Sequence, residues 1–249
     1  MEAYHSLAQS YDRLTNDVDY SAIVAFYRKL LDREGLHPRT AADLACGTGS
    51  IAVRLAAEGL RVIGVDMSEE MLTQAQQKAC ESSANIQFIC QPLQKLRLLR
   101  AVDLAVSALD AVDYITDPAD CACAFRRIYR ALNPGGIFIF DVNTPQKLRD
   151  MDGQIFLDED DGVYCVWRGE FEEESNICSY GMDLFQKCGD LWRRSFEEHR
   201  EYAYSPEQLV EMLRRAGFIS IEVFGDRRLG PVLPEDRRLY IKARKGVRK

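Results

Sequence analysis

The chain has 249 residues, 47% hydrophobic and 29% charged, with eight cysteines, three histidines and a formal net charge of −7, which is the make-up of an ordinary folded protein with a full core. No run approaches the roughly 18 apolar residues of a membrane helix, so no membrane partner is expected, and the acidic balance argues against binding phosphate backbones, which needs a basic face. The cysteines are scattered without C-x-x-C spacing, which fits reduced, packed thiols in the cytoplasm and offers no zinc pattern.

The start, Met1-Glu2-Ala3-Tyr4-His5, has neither the basic nor the apolar character of a secretory signal. Residues 2–34 carry helical spacing, with Tyr4, Leu7, Tyr11 and Leu14 on one apolar face and Ile23, Phe26, Tyr27, Leu30 and Leu31 on another. A polar stretch, Thr15 to Tyr20, separates them. The segment Ala41-Ala42-Asp43-Leu44-Ala45-Cys46-Gly47-Thr48-Gly49-Ser50 then breaks an apolar run at two glycines and continues as an Ala-rich helical pattern. This reads as strand, tight turn and helix. Gly47, Gly49 and Ala52 fit the G-x-G-x-x-G/A pattern, in which small residues let the backbone approach a nucleotide and the helix N-terminus presents free N–H groups. A second strand, Leu60 to Val65, ends in Asp66, near the roughly 20-residue spacing at which an acid grips ribose hydroxyls. The other reading of Asp66 is a cap on the helix that starts near Ser68. Asp43, inside the first strand, sits where a plain dinucleotide-binding strand is apolar, and it suits a ligand with positive charge such as an ammonium or a sulfonium.

Asp43-Leu44-Ala45-Cys46-Gly47-Thr48-Gly49 and Val65-Asp66-Met67-Ser68 together resemble the first two motifs of the class I S-adenosylmethionine-dependent methyltransferases, in their small-molecule branch with a β lid. The resemblance implies a doubly wound α/β fold with a mostly parallel seven-stranded sheet and an antiparallel β insertion. It implies S-adenosyl-L-methionine as cofactor, bound by Tyr11, Asp43, Ala45, Gly47, Gly49, Asp66, Met67, Gln91, Pro92, Leu93 and Ser107. Tyr11 would close over the cofactor from the N-terminal cover. At the turn after the third strand, Ile86 to Cys90, the family often has an aspartate facing adenine; Gln91-Pro92 replaces it here and leaves amide or backbone contacts.

A fourth strand, Ala101 to Ser107, leads into Ala108-Leu109-Asp110-Ala111-Val112-Asp113-Tyr114-Ile115, at the strand ends where open α/β sheets bind ligands. Asp110 and Asp113 are therefore site candidates, with helix capping as the other reading. Asp117-Pro118 starts a helix that runs through Leu132 to the turn Asn133-Pro134-Gly135-Gly136, before a fifth strand, Ile137 to Asn143. Residues 163–204 alternate with period two in about three runs and read as an antiparallel meander. Ser205-Pro206-Glu207-Gln208 is a capping box, and two closing strands lie at Phe218–Phe224 and Arg238–Ala243.

The expected organisation is a single methyltransferase domain over 1–249, with a helical cover at 1–34 and a β lid at 144–204 inserted after the fifth strand. The expected reaction is in-line methyl transfer to an N or O atom of a small-molecule acceptor. His199 on the lid and Asp110 are the catalytic candidates, because an oxygen acceptor must lose its proton. RNA or protein methylation, a nicotinamide-dependent oxidoreductase and a cofactor-binding module without turnover remain as alternatives. Neither the acceptor nor the oligomeric state is readable from the chain.

Overall fold

Apolar runs alternating with amphipathic segments bury each helix stripe against a sheet and place helices on both of its faces. The computed structural model describes residue 8, residues 11–160 and residues 162–247. The helices are α1 (Tyr11–Leu14), α2 (Tyr20–Arg33), α3 (Ser50–Ala57), α4 (Glu69–Glu81), α5 (Pro118–Ala131), α6 (Pro145–Arg149) and α7 (Pro206–Ala216). The strands are β1 (Thr40–Leu44), β2 (Arg61–Asp66), β3 (Ile86–Cys90), β4 (Val102–Ser107), β5 (Leu132–Asn143), β6 (Ile155–Asp160), β7 (Val163–Glu172), β8 (Ile177–Cys188), β9 (Leu191–Tyr202), β10 (Phe218–Phe224) and β11 (Arg238–Lys245). Tyr4 and Leu7 of the predicted N-terminal face lie outside the described residues.

The main sheet has seven strands in the order β10-β11-β5-β4-β1-β2-β3. Its pairings from β3 to β5 are parallel, while β11 runs antiparallel between β5 and β10. Strand order reverses between β1 and β4, and the crevice beyond their C-terminal ends is where such sheets bind ligands. On one face the Phe138 and Phe140 rings stack at 4.7 Å, with Phe125 of α5 against Phe140 at 5.5 Å. On the other face Leu104, Val106, Ile137 and Ile139 pack with Phe26, Tyr27 and Leu30 of α2.

Local chemistry sets the helix starts as the sequence predicts. Ser68 Oγ accepts from Met71 N at 3.1 Å, and Asp117 caps α5 by accepting from Ala119 N at 2.7 Å, with Pro118 in its first turn. Ser205 and Gln208 form a reciprocal capping box on α7. These acceptors satisfy N–H groups that a helix start otherwise leaves open.

The structure departs from the sequence reading in two places. The first is β5, which begins at Leu132, so that Asn133-Pro134-Gly135-Gly136 lies within the strand. The register against β4 shifts between Val102 and Leu104, so the segment is accommodated as an irregularity, with Gly135 at φ 82°. The second is the meander, which has four strands and forms its own sheet, in the order β6-β7-β8-β9. The extra strand, β6, is Ile-Phe-Leu-Asp-Glu-Asp and is exposed along almost its whole length. It shows no alternation because neither face is covered, and its strand character comes from pairing with β7.

Candidate active site

The turn after β1 is held by backbone geometry. Ala45, Gly47 and Gly49 take left-handed φ values of 55°, 52° and 77°. Cys46 N donates to Val65 O, and Gly49 N to Cys46 O, both at 2.9 Å. A Cβ on Gly49 would sit 3.0 Å from the Cβ of Ala75, so close α3–α4 packing and the positive φ both favour glycine there. A Cβ on Gly47 would meet nothing within 4 Å. That residue borders open space.

The cap of α4 is Ser68, while Asp66, at the end of β2, accepts two backbone hydrogen bonds. Its Oδ2 accepts from Gly47 N at 2.8 Å and its Oδ1 from Ser68 N at 2.9 Å, so it braces the glycine turn and orders the entry to α4. Burial raises its pKa, against the lowering effect of the N–H groups of Ser68 and Gly47. Each carboxylate oxygen has a second lone pair for a ligand hydroxyl.

Asp43 is 1% exposed, and among the described residues its Oδ2 has no hydrogen-bond partner. Burial pushes its carboxyl up to about 8, opposed by a hydrogen bond from the Ala52 backbone and reinforced by the nearby Asp66. A cation at Oδ2 would relieve that cost directly.

These residues line a cavity of about 470 Å³, within the size range of small-molecule sites. Of the predicted cofactor residues, Tyr11, Asp43, Ala45, Gly47, Asp66, Met67, Gln91, Pro92 and Leu93 line it, whereas Gly49 and Ser107 do not. Gly49 shapes the turn from behind, and Ser107 is fully buried at the end of β4. The Gln91 amide exchanges bonds with the Arg97 backbone at 3.3 and 3.2 Å. Its side chain is therefore committed locally, and backbone groups are what this turn offers to a ligand.

The N-terminal cover is tied to the turn. Asp12 accepts from Thr48 Oγ1 at 2.7 Å and pairs with Lys78 of α4 at 2.7 Å, while Lys78 also reaches Ser50 at 2.7 Å. This latch brings Tyr11 to the cavity wall. Nothing in the helical periodicity of residues 2–34 signals it, because its partners lie far away in sequence.

Asp110 and Asp113 point into a buried polar junction rather than into the cavity. Leu109 and Asp110 both take left-handed φ, at 58° and 55°, and Asp141 accepts from their N–H groups at 2.9 and 3.1 Å. Arg238 pairs with Asp110 at 2.7 Å and also with Asp141. Burial opposes the charge of Asp110, but Arg238 and Lys147 outweigh it and hold the carboxyl below its ordinary value. Asp113 receives Asn143 N at 2.8 Å, and Asn143 donates from its amide to Glu201 at 2.8 Å. Burial, and then neighbouring Glu201 and Asp110, push Asp113 well up; Glu201 rises to about 8, again chiefly through burial.

His199 is 1% exposed on the inner face of β9, and its neighbours Glu198 and Arg200, not His199 itself, line the cavity. Tyr114 and Ile115, in the loop marked by its place after β4, line the cavity, and so does Thr116 just beyond that loop, which nothing in the sequence signals.

The sheet order, the glycine turn and the buried acid ahead of it define a class I methyltransferase. A family profile described as a methyltransferase domain matches residues 41–136. A protein of Bacillus subtilis (strain 168) described as the methyltransferase YqeM is 31% identical over 244 residues, 97% of each chain. A protein of Geobacillus sp. (strain WCH70), also described as a methyltransferase of this kind, is 32% identical over 90% of this chain and 92% of its own. The crystal structure of an S-adenosylmethionine-dependent methyltransferase from Clostridium acetobutylicum superposes with a TM-score of 0.88 at 29% identity, covering 98% of this chain and all of that one. The chain belongs to the S-adenosylmethionine-dependent methyltransferases and is an enzyme of that family. The residues present fit the cofactor, since the open oxygen of Asp43 offers a counter-charge beside a turn that leaves room for a ligand. When bound, S-adenosylmethionine supplies an electrophilic methyl group.

Proposed function

We propose that the chain methylates an oxygen or nitrogen of a small molecule bound between the glycine turn, the loop after β4 and the β lid. The observation that carries this reading is Asp43, whose buried Oδ2 has no hydrogen-bond partner among the described residues, lining a cavity that extends to Tyr114 and to Glu198 and Arg200 of β9. In this reading residues 1–249 act as one domain, residues 1–34 as a cover and residues 144–204 as the lid that shapes the acceptor site. Asp43 faces the charged end of the donor, Asp66 its ribose, Met67 and the 91–93 backbone its adenine, and Tyr11 closes from above; Gly49 and Ser107 act by shaping the wall.

An aromatic hydroxyl is the favoured acceptor. A ubiquinone biosynthesis O-methyltransferase of Idiomarina loihiensis is 31% identical over 118 residues, though over only 46% of either chain, and Tyr114, Ile115 and Leu109 supply an apolar wall suited to a ring. Methyl transfer asks mainly for alignment, and holding reactants in line is worth effective molarities of roughly 10⁵ to 10⁸ M. We place the enzyme in the cytoplasm, where its eight free cysteines stay reduced.

Incubation with labelled donor and separate pools of hydroxyl compounds, amines, tRNA and protein should place label in the small-molecule fractions. Label confined to tRNA or protein would sink this reading. Asp66→Ala should weaken donor binding by about 1–3 kcal/mol, as measured by calorimetry on a variant whose melting curve shows it folded. Unchanged affinity would remove Asp66 from the ribose contact.

A further inference from the structure

We propose that Tyr114, His199 and Glu197 form a chain that removes the acceptor's proton, with Tyr114 as the residue that meets the acceptor. This rests on the reading of the cavity as a methyl-transfer site for a hydroxyl. Tyr114 lines that cavity from the loop after β4. Its hydroxyl stands 3.4 Å from Nδ1 of His199, and the two rings meet edge-on at 5.9 Å and 88°. On the far side of the imidazole, Glu197 Oε2 lies 3.4 Å from Nε2.

The arrangement follows from strand periodicity. Residues two apart on β9 share a face, so Glu197 and His199 lie together on one face, 3% and 1% exposed, while Glu198 between them lies on the opposite face and lines the cavity. Glu197 is the carboxylate nearest Nε2, at an ion-pair rather than a hydrogen-bond distance, and the tautomer with the proton on that nitrogen leaves Nδ1 as an acceptor toward the phenol.

In the step itself the acceptor O–H bond breaks and its proton passes to Tyr114 Oη, as the phenolic proton of Tyr114 passes to His199 Nδ1. Glu197 balances the imidazolium. The freed electron pair on the acceptor oxygen forms the new bond to the methyl carbon, and the carbon–sulfur bond breaks with its pair remaining on sulfur. His199 returns its proton to water after product release. Tyr114 is thus the catalytic residue, and His199 and Glu197, which act through it, are positioning residues.

The test uses Tyr114→Phe and His199→Gln, with a catechol as the hydroxyl probe and a primary amine supplied as its free base. Each variant is expected to lower kcat on the catechol roughly 10²-fold or more, with donor affinity little changed and a much smaller loss on the amine. Nitrogen-15 NMR of the imidazoles gives a readout independent of turnover, since the chain has only three histidines. Tyr114→Phe should shift the Nδ1 resonance of His199. Catechol turnover retained in either variant, equal losses on both probes, or an unmoved Nδ1 resonance would overturn the chain. A wild type that binds no donor would instead overturn the site reading, and one that binds donor but methylates neither probe would overturn the hydroxyl-acceptor reading and the role of the chain with it.

Discussion

Asp43→Asn is expected to weaken S-adenosylmethionine binding by about 1.5–3 kcal/mol, roughly 10- to 100-fold, by removing a charged hydrogen-bond partner, while flattening the pH dependence of stability. Asp43 has an ordinary carboxyl value of 3.8, and burial raises it to about 8. Below about pH 4 both folded and unfolded chains carry the proton, and the group costs folding nothing. Between about 4 and 8 only the folded chain keeps it, so stability falls with rising pH at up to about 1.36 kcal/mol per unit from this group. Above 8 the loss is complete. Asparagine removes this slope, and urea titrations at pH 5 and pH 8 should show a smaller difference in the variant than in the parent.

The same substitution separates two partners for the carboxylate. Equal losses for S-adenosylmethionine and S-adenosylhomocysteine would assign it to the ammonium, which both carry. A loss restricted to S-adenosylmethionine would assign it to the sulfonium. Because a cation at Oδ2 stabilises the ionised form, donor binding should release a proton near neutral pH, and its affinity should rise as pH approaches 8. Undiminished affinity in a folded Asp43→Asn protein would contradict the assignment.

Arg238→Ala should cost about 3–5 kcal/mol of stability, because it leaves the fully buried Asp141 without its compensating charge and Asp110 with Lys147 alone. Asp141 is fully buried and holds the N–H groups of Leu109 and Asp110, both in left-handed conformation. The loop's strain is therefore maintained by Asp141, and Asp141 by Arg238 on the antiparallel strand β11. Arg238→Lys keeps a charge but loses the forked geometry, and should fall between. The denaturation midpoints of the two variants test this. A loss below about 1 kcal/mol for alanine would mean that the two acids are neutral in the folded protein.

Where the sequence reading succeeded, the governing interactions are local. The glycine turn, the caps at Ser68, Asp117 and Ser205, and the alternation of helices with apolar runs all depend on residues within a few positions of one another. Asp43 was legible because a carboxylate in an otherwise apolar strand breaks the pattern. What was not legible depends on distant pairing. The exposed strand β6 owes its form to β7, and the Asp12–Thr48–Lys78 latch joins three separate elements. Asp110 was placed in the right loop, but its orientation is set by Arg238, which lies more than a hundred residues later. The titratable ring of His199 marks it in the sequence, and only the register of β9 turns that ring inward toward Tyr114.

Calorimetric titration of the purified chain with S-adenosylmethionine, S-adenosylhomocysteine and NADH tests the central claim most directly. Saturable one-site binding of the first two, weakened together or selectively in Asp43→Asn and absent for NADH, is the predicted result. Binding of NADH more tightly than S-adenosylmethionine would contradict it.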